Sequence, residues 1–229
     1  MKISVALAAY NGEKYISEQL TSILSQLKVD DEIIVSDDNP SGKTKDAVLS
    51  INDGRIKYIE GEGKGVVKNF ENAISKCTGD VIFLADQDDV WKKNKVNAVM
   101  KEIENGAMLV LHDSNIVDEN LKTISESYFK EHNSDISYIH NIIRNSFVGC
   151  CMAFKKELLN DIMPFPEGIP MHDWWIGLVA LKKGYNVKML NLPLIKWRRH
   201  GDNVTGSKTK STDKIKWRIS IIKSLLNIK

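Results

Sequence analysis

Cysteines are scarce in this chain. Its 229 residues contain three, two of them adjacent at Cys150 and Cys151, and no CxxC pair occurs. A small and odd number of cysteines excludes a disulfide framework, and the missing CxxC spacing excludes the common zinc modules. The composition therefore favours a reducing compartment.

Long apolar runs are missing as well. No stretch is both long and apolar enough to span a bilayer. The first apolar run, residues 3–9, is too short for a secretory leader, and polar residues follow it at once. We therefore expect a cytoplasmic protein with one large domain, with or without an appendage.

The net charge is small but unevenly distributed. It is formally +2, yet the segment from residue 196 to the end carries ten Lys or Arg against two Asp. That segment is therefore about +8, and the first 195 residues are about −6. A basic end of this kind is typical of a segment that meets an anionic surface.

Residues 207–229 have the pattern of a basic amphipathic helical tail. Apolar residues recur there at helical spacing, namely Ile215, Ile219, Ile222 and Leu226, with Trp217, Ile221 and Leu225 beside them. Such a helix can lie in a membrane interface without crossing it, which predicts peripheral contact with the inner face of the cytoplasmic membrane. The alternative is that the apolar side packs on the rest of the chain or on a second subunit.

The first half of the chain alternates strand and helix patterns. Apolar runs predict strands at residues 3–9, 32–36, 56–59, 81–85 and 107–111, with helical spacing between them. This alternation predicts an α/β fold with a mostly parallel sheet flanked by helices. By the same criteria, residues 114–146 are polar and irregular, and a further helix covers residues 174–183.

Polar clusters follow three of the predicted strands, at residues 9–11, 36–38 and 86–89. Because the carboxyl ends of parallel strands meet at one edge of a sheet, we expect these clusters to converge on a crevice there. The third cluster is the densest, since the sequence FLADQDDVW at residues 83–91 ends an apolar run in three carboxylates. Carboxylates this close repel one another unless a cation offsets their charge.

Asp86 and Asp88 are two residues apart, so in an extended segment their side chains point to the same side. Two oxygen ligands with open positions around them suit Mg²⁺ or Mn²⁺ bridging a diphosphate. The alternative is a solvated turn that caps a helix starting at Trp91. The apolar strand directly before the pair favours the metal site.

Two further segments are candidates for nucleotide contacts. Asp37 and Asp38 can accept from a nucleobase N–H or from ribose hydroxyls, or they can simply form a turn. The glycine-rich stretch at residues 61–65 lacks the GxxxxGK[ST] pattern of a phosphate loop. Lys64 can therefore contact a phosphate only as a point charge.

The sequence HDWW at residues 172–175 follows three prolines and predicts a helix start after a rigid loop. Asp173 is then either a helix cap or a general base. The two tryptophans are either core residues or an aromatic platform for a sugar ring. Arg198, Arg199 and His200 form a cationic cluster that either neutralises a leaving diphosphate or is an exposed basic loop.

Together these motifs resemble the family 2 glycosyltransferases, which have the GT-A fold, and among them the bacterial rhamnosyltransferase-like members. The matching segments are Ala9-Tyr10-Asn11-Gly12 with Glu13, Asp37-Asp38, Lys68-Asn69-Phe70, Asp86-Gln87-Asp88-Asp89-Val90-Trp91, His172-Asp173-Trp174-Trp175, and Arg199-His200-Gly201 with Asn203. Each segment alone is common, but their order and spacing together are specific. The resemblance covers nearly the whole chain, from Val5 to about Gly206.

The resemblance implies roles for these residues. Those that would bind the nucleotide sugar are Ala9, Tyr10, Glu13, Asp37, Asp38, Lys64, Asn69, Asp86, Gln87, Asp88 and His200. Mn²⁺ or Mg²⁺ would be held by Asp86, Asp88 and His200, and Asp173 would deprotonate the acceptor hydroxyl. The family usually has Gly-Ser-Thr-Asp after its Asp-Asp pair, whereas Asn39-Pro40-Ser41-Gly42 stands in this chain. The ribose-side contacts therefore stay unassigned.

The implied protein is an inverting glycosyltransferase that moves a sugar from a nucleoside-diphosphate sugar to a glycan or lipid-linked acceptor, with no nucleic-acid partner. Rhamnose is one candidate sugar, and surface polysaccharide synthesis is the implied setting. The implied domain covers residues 1–206, with a nucleotide-sugar-binding half at 1–113 and an acceptor-facing half at 114–206.

Two alternatives stay open, a sugar nucleotidyltransferase and a non-catalytic nucleotide-sugar-binding domain. The first would carry a basic, glycine-rich loop directly after the first strand, where this chain has Tyr10-Asn11-Gly12-Glu13. The presence of Asp86, Asp88 and Asp173 in one chain argues against the second.

Overall fold

The computed structural model describes residues 1–201 and 211–228. The predicted domain boundary at residues 206 and 207, and Asn203 of the last motif, lie outside the described residues. Nine strands occur in the described part: β1 Ile3–Ala9, β2 Glu32–Asp37, β3 Ile56–Glu60, β4 Val81–Asp86, β5 Val90–Trp91, β6 Leu109–Val117, β7 Thr123–Ser125, β8 Met152–Lys155 and β9 Val187–Arg198. The helices of that part are α1 Ile16–Leu24, α2 Thr44–Leu49, α3 Val66–Ser75, α4 Lys95–Glu104, α5 Tyr128–His132, α6 Tyr138–Ile143, α7 Leu159–Ile162, α8 His172–Lys182 and α9 Ser211–Leu226.

All nine strands belong to one mixed sheet. Its order is β3-β2-β1-β4-β8-β6-β9-β5, and β7 pairs with β6. Six strands run in one direction, while β5, β7 and β8 run in the other. The predicted α/β fold with a mostly parallel sheet is therefore confirmed.

The central strands are apolar along almost their whole length because both faces of the sheet are covered. Every residue of β1 is buried, and β4 is buried up to Asp86. Helix α3 packs on β1 and β2 through a face that includes Phe70, Ala73 and Ile74. This packing fixes the strand ends that carry the polar clusters.

The register brings those clusters together as expected. Ala9 of β1 pairs with Asp37 of β2, and Ala8 of β1 pairs with Asp86 of β4. The carboxyl ends of three neighbouring parallel strands therefore share one edge. Residues 9–11, 36–38 and 86–89 converge there.

The expectation of irregular structure at residues 114–146 is wrong. That range holds the second half of β6, then β7, α5 and α6. The predicted strand at residues 107–111 is the start of β6, and the sequence hides the rest of β6 because the buried side chains there include His112 and Asp113. The Asp113 carboxylate accepts from the Phe129 N–H at 3.0 Å and from the Ser127 hydroxyl at 2.5 Å.

Two further elements differ from the expectation. The helix that seemed to start at Trp91 begins at Lys95, because residues 90 and 91 pair with β9. Strand β9 was not predicted, since Pro193 and several polar residues interrupt its apolar pattern. Strand β9 runs parallel to β6. Strand β6 itself crosses the predicted boundary between residues 113 and 114, so the two predicted halves of the domain share one sheet.

Helix α9 lies against α6 and α8. Ile221 and Leu225 are buried at this contact, and Lys182 Nζ donates to the Leu225 carbonyl at 2.6 Å. Part of the tail therefore packs on the domain. Among the described helices, none is long and apolar enough to cross a membrane.

Candidate active site

A cavity of about 440 Å³ opens at the shared edge of β1, β2 and β4. Its walls are formed by two groups of residues. The first comes from the strand ends and α3: Ala8, Ala9, Tyr10, Asp38, Gly63, Gly65, Val66, Asn69, Asp86, Gln87 and Asp88. The second comes from the later half of the chain: Val148, Gly149, Met171, His172, Asp173 and Trp197.

Gln87 joins the first strand end to the acidic segment. Its Oε1 accepts from the Tyr10 N–H at 2.8 Å, and its Nε2 donates to the Tyr10 carbonyl at 2.9 Å. A Cβ on Gly12 would overlap this side chain, so a larger residue at position 12 would displace Gln87 from these hydrogen bonds. Gln87 thus fixes the backbone on which the exposed Tyr10 ring stands, and both residues line the cavity.

Asn69 joins β1 to β2. Its Nδ2 donates to the carbonyls of Ala9 and Ser36, at 3.0 and 2.9 Å, and its Oδ1 accepts from the Ser36 hydroxyl at 2.6 Å. The side chain is buried and lies at the cavity wall. Its polar atoms are therefore used mainly to hold the two strand ends together.

Asp37 and Asp38 are both buried and both satisfied by protein donors. Asp38 Oδ1 accepts from the Gly63 N–H at 2.8 Å, and its Oδ2 accepts from the Gly65 N–H at 2.7 Å. Asp37 accepts from the Tyr58 hydroxyl at 2.9 Å and from the Asn39 N–H at 3.1 Å. Asp38 thus shapes the 61–65 loop, while Asp37 lies behind the cavity wall.

Like Asp37, the predicted binding residues Lys64 and Glu13 do not line the cavity. Lys64 is exposed and pairs with Glu62, with 2.6 Å between Nζ and Oε2. Its loop turns the side chain outward because the loop backbone is held by Asp38. Glu13 is exposed too, and its Oε2 lies 3.5 Å from the Thr44 hydroxyl.

The three carboxylates after β4 form a crowded cluster. Burial, and then the charges of Asp88 and Asp173, raise the pKa of Asp86 to about 7, although its side chain keeps some contact with the cavity. Burial, and then Asp88 and Asp86, raise the pKa of Asp89 well above its usual value. The fold therefore places these carboxyl groups where their ionisation is unfavourable.

Arg198, at the end of β9, holds this acidic segment in place. Its N–H donates to Asp89 Oδ1 at 3.0 Å, and its Nε donates to the Asp88 carbonyl at 2.7 Å. The buried guanidinium also pairs with Glu18 and lies 4.7 Å from the centre of the Tyr15 ring. The sequence suggested that this arginine faces a diphosphate, but the structure uses it as an internal clamp.

His200 stands beside Asp88. Its Nε2 lies 2.8 Å from Asp88 Oδ2, and its ring packs on Tyr15 with 4.9 Å between ring centres. The same tyrosine is covered by the Arg198 guanidinium. The clamp therefore orients both the carboxylate and the imidazole.

Asp173, in the first turn of α8, belongs to the second group of lining residues and lies close enough to Asp86 for its charge to raise the pKa of that residue. Its Oδ2 accepts from the Gly149 N–H at 3.1 Å, and its Oδ1 accepts from the Trp174 N–H at 2.6 Å and from Asn145 Nδ2 at 3.5 Å. Burial nevertheless raises its pKa to about 6. A buried carboxylate with this pKa can accept a proton near neutral pH.

His172 is a cavity residue that the sequence did not single out as a site residue. It stacks on Phe70 with 3.8 Å between ring centres, and burial lowers its pKa to about 3. Neither ring nitrogen has a hydrogen-bond partner among the described residues. Gly149 lies against this imidazole, since a Cβ added at Gly149 would be 2.5 Å from His172 Nε2. The Gly149 N–H also donates to Asp173, so the neutral imidazole lies near that carboxylate.

The acidic cluster has the donor set for a divalent cation. Asp88 Oδ2 and His200 Nε2 are 2.8 Å apart, close to the separation of about 3 Å between neighbouring ligand atoms in an octahedral Mg²⁺ site. Oxygens of Asp86 and Asp89 and the Cys150 sulfur also lie within 4.8 Å of one another. The carboxylate oxygens of this cluster suit Mg²⁺ or Mn²⁺.

The structure thus brings together most of the predicted site: Ala9, Tyr10, Asp38, Asn69, Asp86, Gln87, Asp88 and Asp173 line one cavity, with His200 against Asp88. Sequence reasoning did not identify Val148 and Gly149, which also line the cavity. No motif surrounds these two residues, and only the three-dimensional structure relates them to Asp173. Met171 and His172 could have been found, since they directly precede Asp173.

Comparison with known proteins agrees with this geometry. The family model described as Glycosyl transferase family 2 matches residues 4–163. The chain is 28% identical over 244 residues to the dTDP-rhamnosyl transferase RfbG of Shigella flexneri, covering 95% of this chain and 79% of that protein. It is 26% identical over 212 residues to the Escherichia coli UDP-Glc:alpha-D-GlcNAc-diphosphoundecaprenol beta-1,3-glucosyltransferase WfgD, covering 91% and 81%. An uncharacterized glycosyltransferase of Nostoc sp. is 26% identical, and the chain spans 66% of its length.

Solved structures share the fold. S. aureus TarS 1–349 in complex with UDP-GlcNAc matches with a TM-score of 0.77 and 23% identity, over 100% of this chain and 68% of that one. The glucosyl-3-phosphoglycerate synthase from Mycobacterium tuberculosis, solved with Mn²⁺, UDP and glucosyl-3-phosphoglycerate, matches with a TM-score of 0.64 and 17% identity, over 98% and 78%. The fold is therefore that of the GT-A glycosyltransferases. The chain belongs to glycosyltransferase family 2, which confirms the resemblance seen in the motifs.

Proposed function

We propose that this chain is a metal-dependent inverting glycosyltransferase that moves a sugar from a nucleoside-diphosphate sugar to a hydroxyl of a glycan or lipid-linked acceptor. One observation carries the proposal. A single cavity is lined by the crowded carboxylates Asp86 and Asp88, from the strand ends, and by the buried carboxylate Asp173, from the later half of the chain. These are the two chemical functions that a direct displacement at a sugar carbon needs.

The first wall would receive the nucleoside diphosphate. Tyr10 and the backbone of Ala9 border the space beside β2, where the nucleoside would lie. Asp86, Asp88 and His200 would hold Mn²⁺ or Mg²⁺, which when bound neutralises the diphosphate and stabilises it as it leaves. Gln87 and Arg198 keep this wall in place, since both hold its backbone.

The second wall would activate the acceptor. Asp173 would accept the proton of the acceptor hydroxyl while the hydroxyl oxygen forms a bond to the anomeric carbon. The bond from that carbon to the diphosphate oxygen breaks in the same step, and the configuration inverts. His172, neutral and beside Asp173, would offer one donor and one acceptor nitrogen to sugar hydroxyls.

Relatives guide the choice of donors. RfbG is named for dTDP-rhamnose and WfgD for UDP-glucose, so we propose dTDP-rhamnose and UDP-glucose as the first donors to test, with surface polysaccharide synthesis as the setting. The reaction would take place in the cytoplasm.

The test is a donor panel. UDP-, dTDP- and GDP-sugars are incubated with the protein and Mn²⁺, and slow donor hydrolysis is followed by release of the nucleoside diphosphate. With an acceptor, ¹H NMR of the product gives the anomeric configuration. Asp88→Ala serves as the inactive variant, and Asp30→Ala, at an exposed position remote from the cavity, serves as its matched control.

We expect one donor class to be turned over with inversion, by the wild type and Asp30→Ala only. Retention of configuration would contradict the proposed mechanism. Formation of a nucleotide sugar from a sugar phosphate and a nucleoside triphosphate would favour a nucleotidyltransferase. Tight donor binding without any hydrolysis or transfer would favour a binding domain.

A further inference from the structure

Helix α9 has two apolar faces. One packs on the domain through Ile221 and Leu225, which are buried. The other consists of Ile215, Ile219, Ile222 and Leu226, which we call the outer stripe. These four side chains are between 40 and 75% exposed. Their spacing of four, three and four residues places them in one line along the helix.

Three contacts fix the rotation of the helix, so the outer stripe cannot turn inward. Lys182 Nζ donates to the Leu225 carbonyl at 2.6 Å. The Ser220 hydroxyl donates to the Gly168 carbonyl at 2.6 Å, and Arg218 Nε donates to the Ile143 carbonyl at 2.8 Å. The exposed apolar face is therefore a property of the folded domain.

Helix α6 lies beside α9 and also exposes apolar side chains. Arg218 holds the end of α6 against α9, and α6 itself exposes Ile139 and Ile143, which are 71% and 59% exposed. Six large apolar side chains thus lie on two neighbouring helices. A soluble monomer rarely exposes apolar side chains in such a group unless they contact something.

Basic side chains flank the outer stripe on both sides. Counting about 100° per residue, Lys216 and Lys223 lie about 70–90° to one side of the stripe, while Arg218 and Lys214 lie about 70–110° to the other. Asp213 is the only acidic residue of Ser211–Leu226. The side with Arg218 and Lys214 also carries the buried Leu225, so Lys216 and Lys223 form the edge that faces away from the domain. An apolar line beside such a cationic edge matches the acyl and headgroup layers of an anionic bilayer.

We propose that the outer stripe and the exposed face of α6 dock on the surface of an anionic membrane, with α9 parallel to it. The positive charge around the stripe favours a membrane over a second copy of the chain as the binding partner. A two-fold dimer through the stripe would bring the lysines of both copies together, and like charges repel across an interface. Anionic headgroups would instead attract each of them.

Helix α9, which carries the outer stripe, also contacts the segment that leads to the acceptor side of the cavity. Ser220 of α9 contacts Gly168, in the loop that leads into α8 and hence to Asp173. A membrane-bound chain would therefore present Asp173 close to the lipid surface. This last step rests on the proposed function and names its acceptor class, a hydroxyl on a lipid-linked glycan. Docking itself does not depend on catalysis.

The experiment is co-sedimentation of the full chain with vesicles of phosphatidylcholine, with and without phosphatidylglycerol, at low and high salt. The stripe variant is Ile215→Ser, Ile219→Ser, Ile222→Ser. Its control is Val29→Ser, Leu49→Ser, Ile124→Ser, at three apolar positions elsewhere that are at least as exposed. The charge variant is Lys216→Gln, Lys223→Gln, matched by Lys93→Gln, Lys101→Gln at exposed positions on another side.

We expect the wild type and both controls to bind anionic vesicles at low salt. The stripe and charge variants should bind at least about tenfold more weakly. All variants should melt at the wild-type temperature, because the replaced side chains are exposed. Donor hydrolysis without vesicles, measured in parallel, should be the same in all of them, which separates a failure of docking from a failure of the proposed reaction.

Three outcomes would overturn the proposal. The wild type could fail to bind anionic vesicles, or it could bind no better than the stripe variant. The wild type could also dimerise through the stripe, with dissociation in the stripe variant, which would assign the surface to a second copy. A large loss of thermal stability in the stripe variant would make the stripe part of the folded core, and the charge variant would then test the vesicle contact alone.

Discussion

Two acidic segments of this protein look alike in sequence and behave differently in structure. Asp37-Asp38 and Asp86-Gln87-Asp88-Asp89 both follow buried parallel strands, and both lie at the same sheet edge. In the first segment, each carboxylate is satisfied by protein N–H or O–H donors. In the second, carboxylates face one another, and burial and repulsion raise the pKa of Asp86 and Asp89.

The difference teaches how to separate a structural acid from a candidate ligand. A carboxylate whose oxygens both accept from the backbone organises a loop, as Asp38 does for residues 61–65. A carboxylate beside other carboxylates costs stability unless a cation is present. Asp173 combines both features, because it accepts three hydrogen bonds and still has a raised pKa.

Replacing Asp173 therefore tests whether a carboxylate that accepts hydrogen bonds from the protein also acts as the general base. Asp173→Asn should keep donor binding and lose transfer by roughly 10²-fold or more, since a lost general base costs about that much. Donor binding is measured by calorimetry and transfer by product formation. Wild-type turnover in the variant would make Asp173 a helix cap.

The same residue predicts a pH dependence. Its pKa is raised to about 6, so the carboxylate that accepts a proton is present above pH 6 and is lost as the pH falls below it. The transfer rate of the wild type should therefore fall on the acid side of about pH 6. The residual rate of Asp173→Asn should lack this limb, and the same limb in both proteins would assign it to another group.

Asp38 tests the structural half of the comparison. Asp38→Ala removes two hydrogen bonds between a buried carboxylate and loop N–H groups, at a cost of about 2–4 kcal/mol. The melting temperature should fall by about 5–10 °C, measured by calorimetry without metal. Asp30→Ala, at an exposed carboxylate, is the control and should melt like the wild type.

Arg198 tests whether the acidic segment needs its clamp. Arg198→Lys keeps the charge but loses the planar fork, so Asp88 and His200 should be less well ordered. We expect Mn²⁺ affinity, in the presence of the nucleoside diphosphate, to fall by about tenfold. Arg55→Lys is the matched control, because Arg55 is also forked, onto Asp53 and two carbonyls, but lies away from the cavity. An equal loss of Mn²⁺ affinity in both variants would contradict a positioning role.

Replacing Asp86 should have the smallest effect, and it should raise the melting temperature, whereas replacing Asp38 lowers it. Its pKa in the folded state is about 7, above the value of an unfolded aspartate. The folded state therefore holds more protons, and stability falls as the pH rises from about 4 to 7. In EDTA, Asp86→Asn should melt a few degrees above the wild type at pH 8 and show a smaller gain at pH 5. A lower melting temperature at pH 8 would mean that Asp86 is satisfied as Asp38 is.

The sequence predicted the first half of the fold well for a physical reason. Strands β1, β2 and β4 are buried on both faces, so each is a short continuous apolar run, and the motifs at their ends follow directly. Strand β6 is equally buried, but only its apolar start was predicted, because the buried polar residues His112 and Asp113 follow that start. Periodicity cannot reveal a buried polar strand of that kind.

The site was predictable where its chemistry lies within one segment. Asp86 and Asp88 are two residues apart, and His172 directly precedes Asp173. The roles of Arg198 and Gly149 depend on contacts between distant segments, from Arg198 to Asp88 and from Gly149 to Asp173. Such contacts leave no local pattern in the sequence. Lys64 shows the reverse, since its local pattern suggested a phosphate contact and the fold directs it to Glu62.

The central claim is that the second acidic segment binds a divalent cation and the first does not. Titration of Mn²⁺, followed by electron paramagnetic resonance with UDP or dTDP present, tests it directly in the wild type, Asp88→Ala and Asp38→Asn. We predict one tight Mn²⁺ site in the wild type, which Asp38→Asn keeps and Asp88→Ala loses. Equal Mn²⁺ binding by the wild type and Asp88→Ala, or loss of the site in Asp38→Asn alone, would contradict the account.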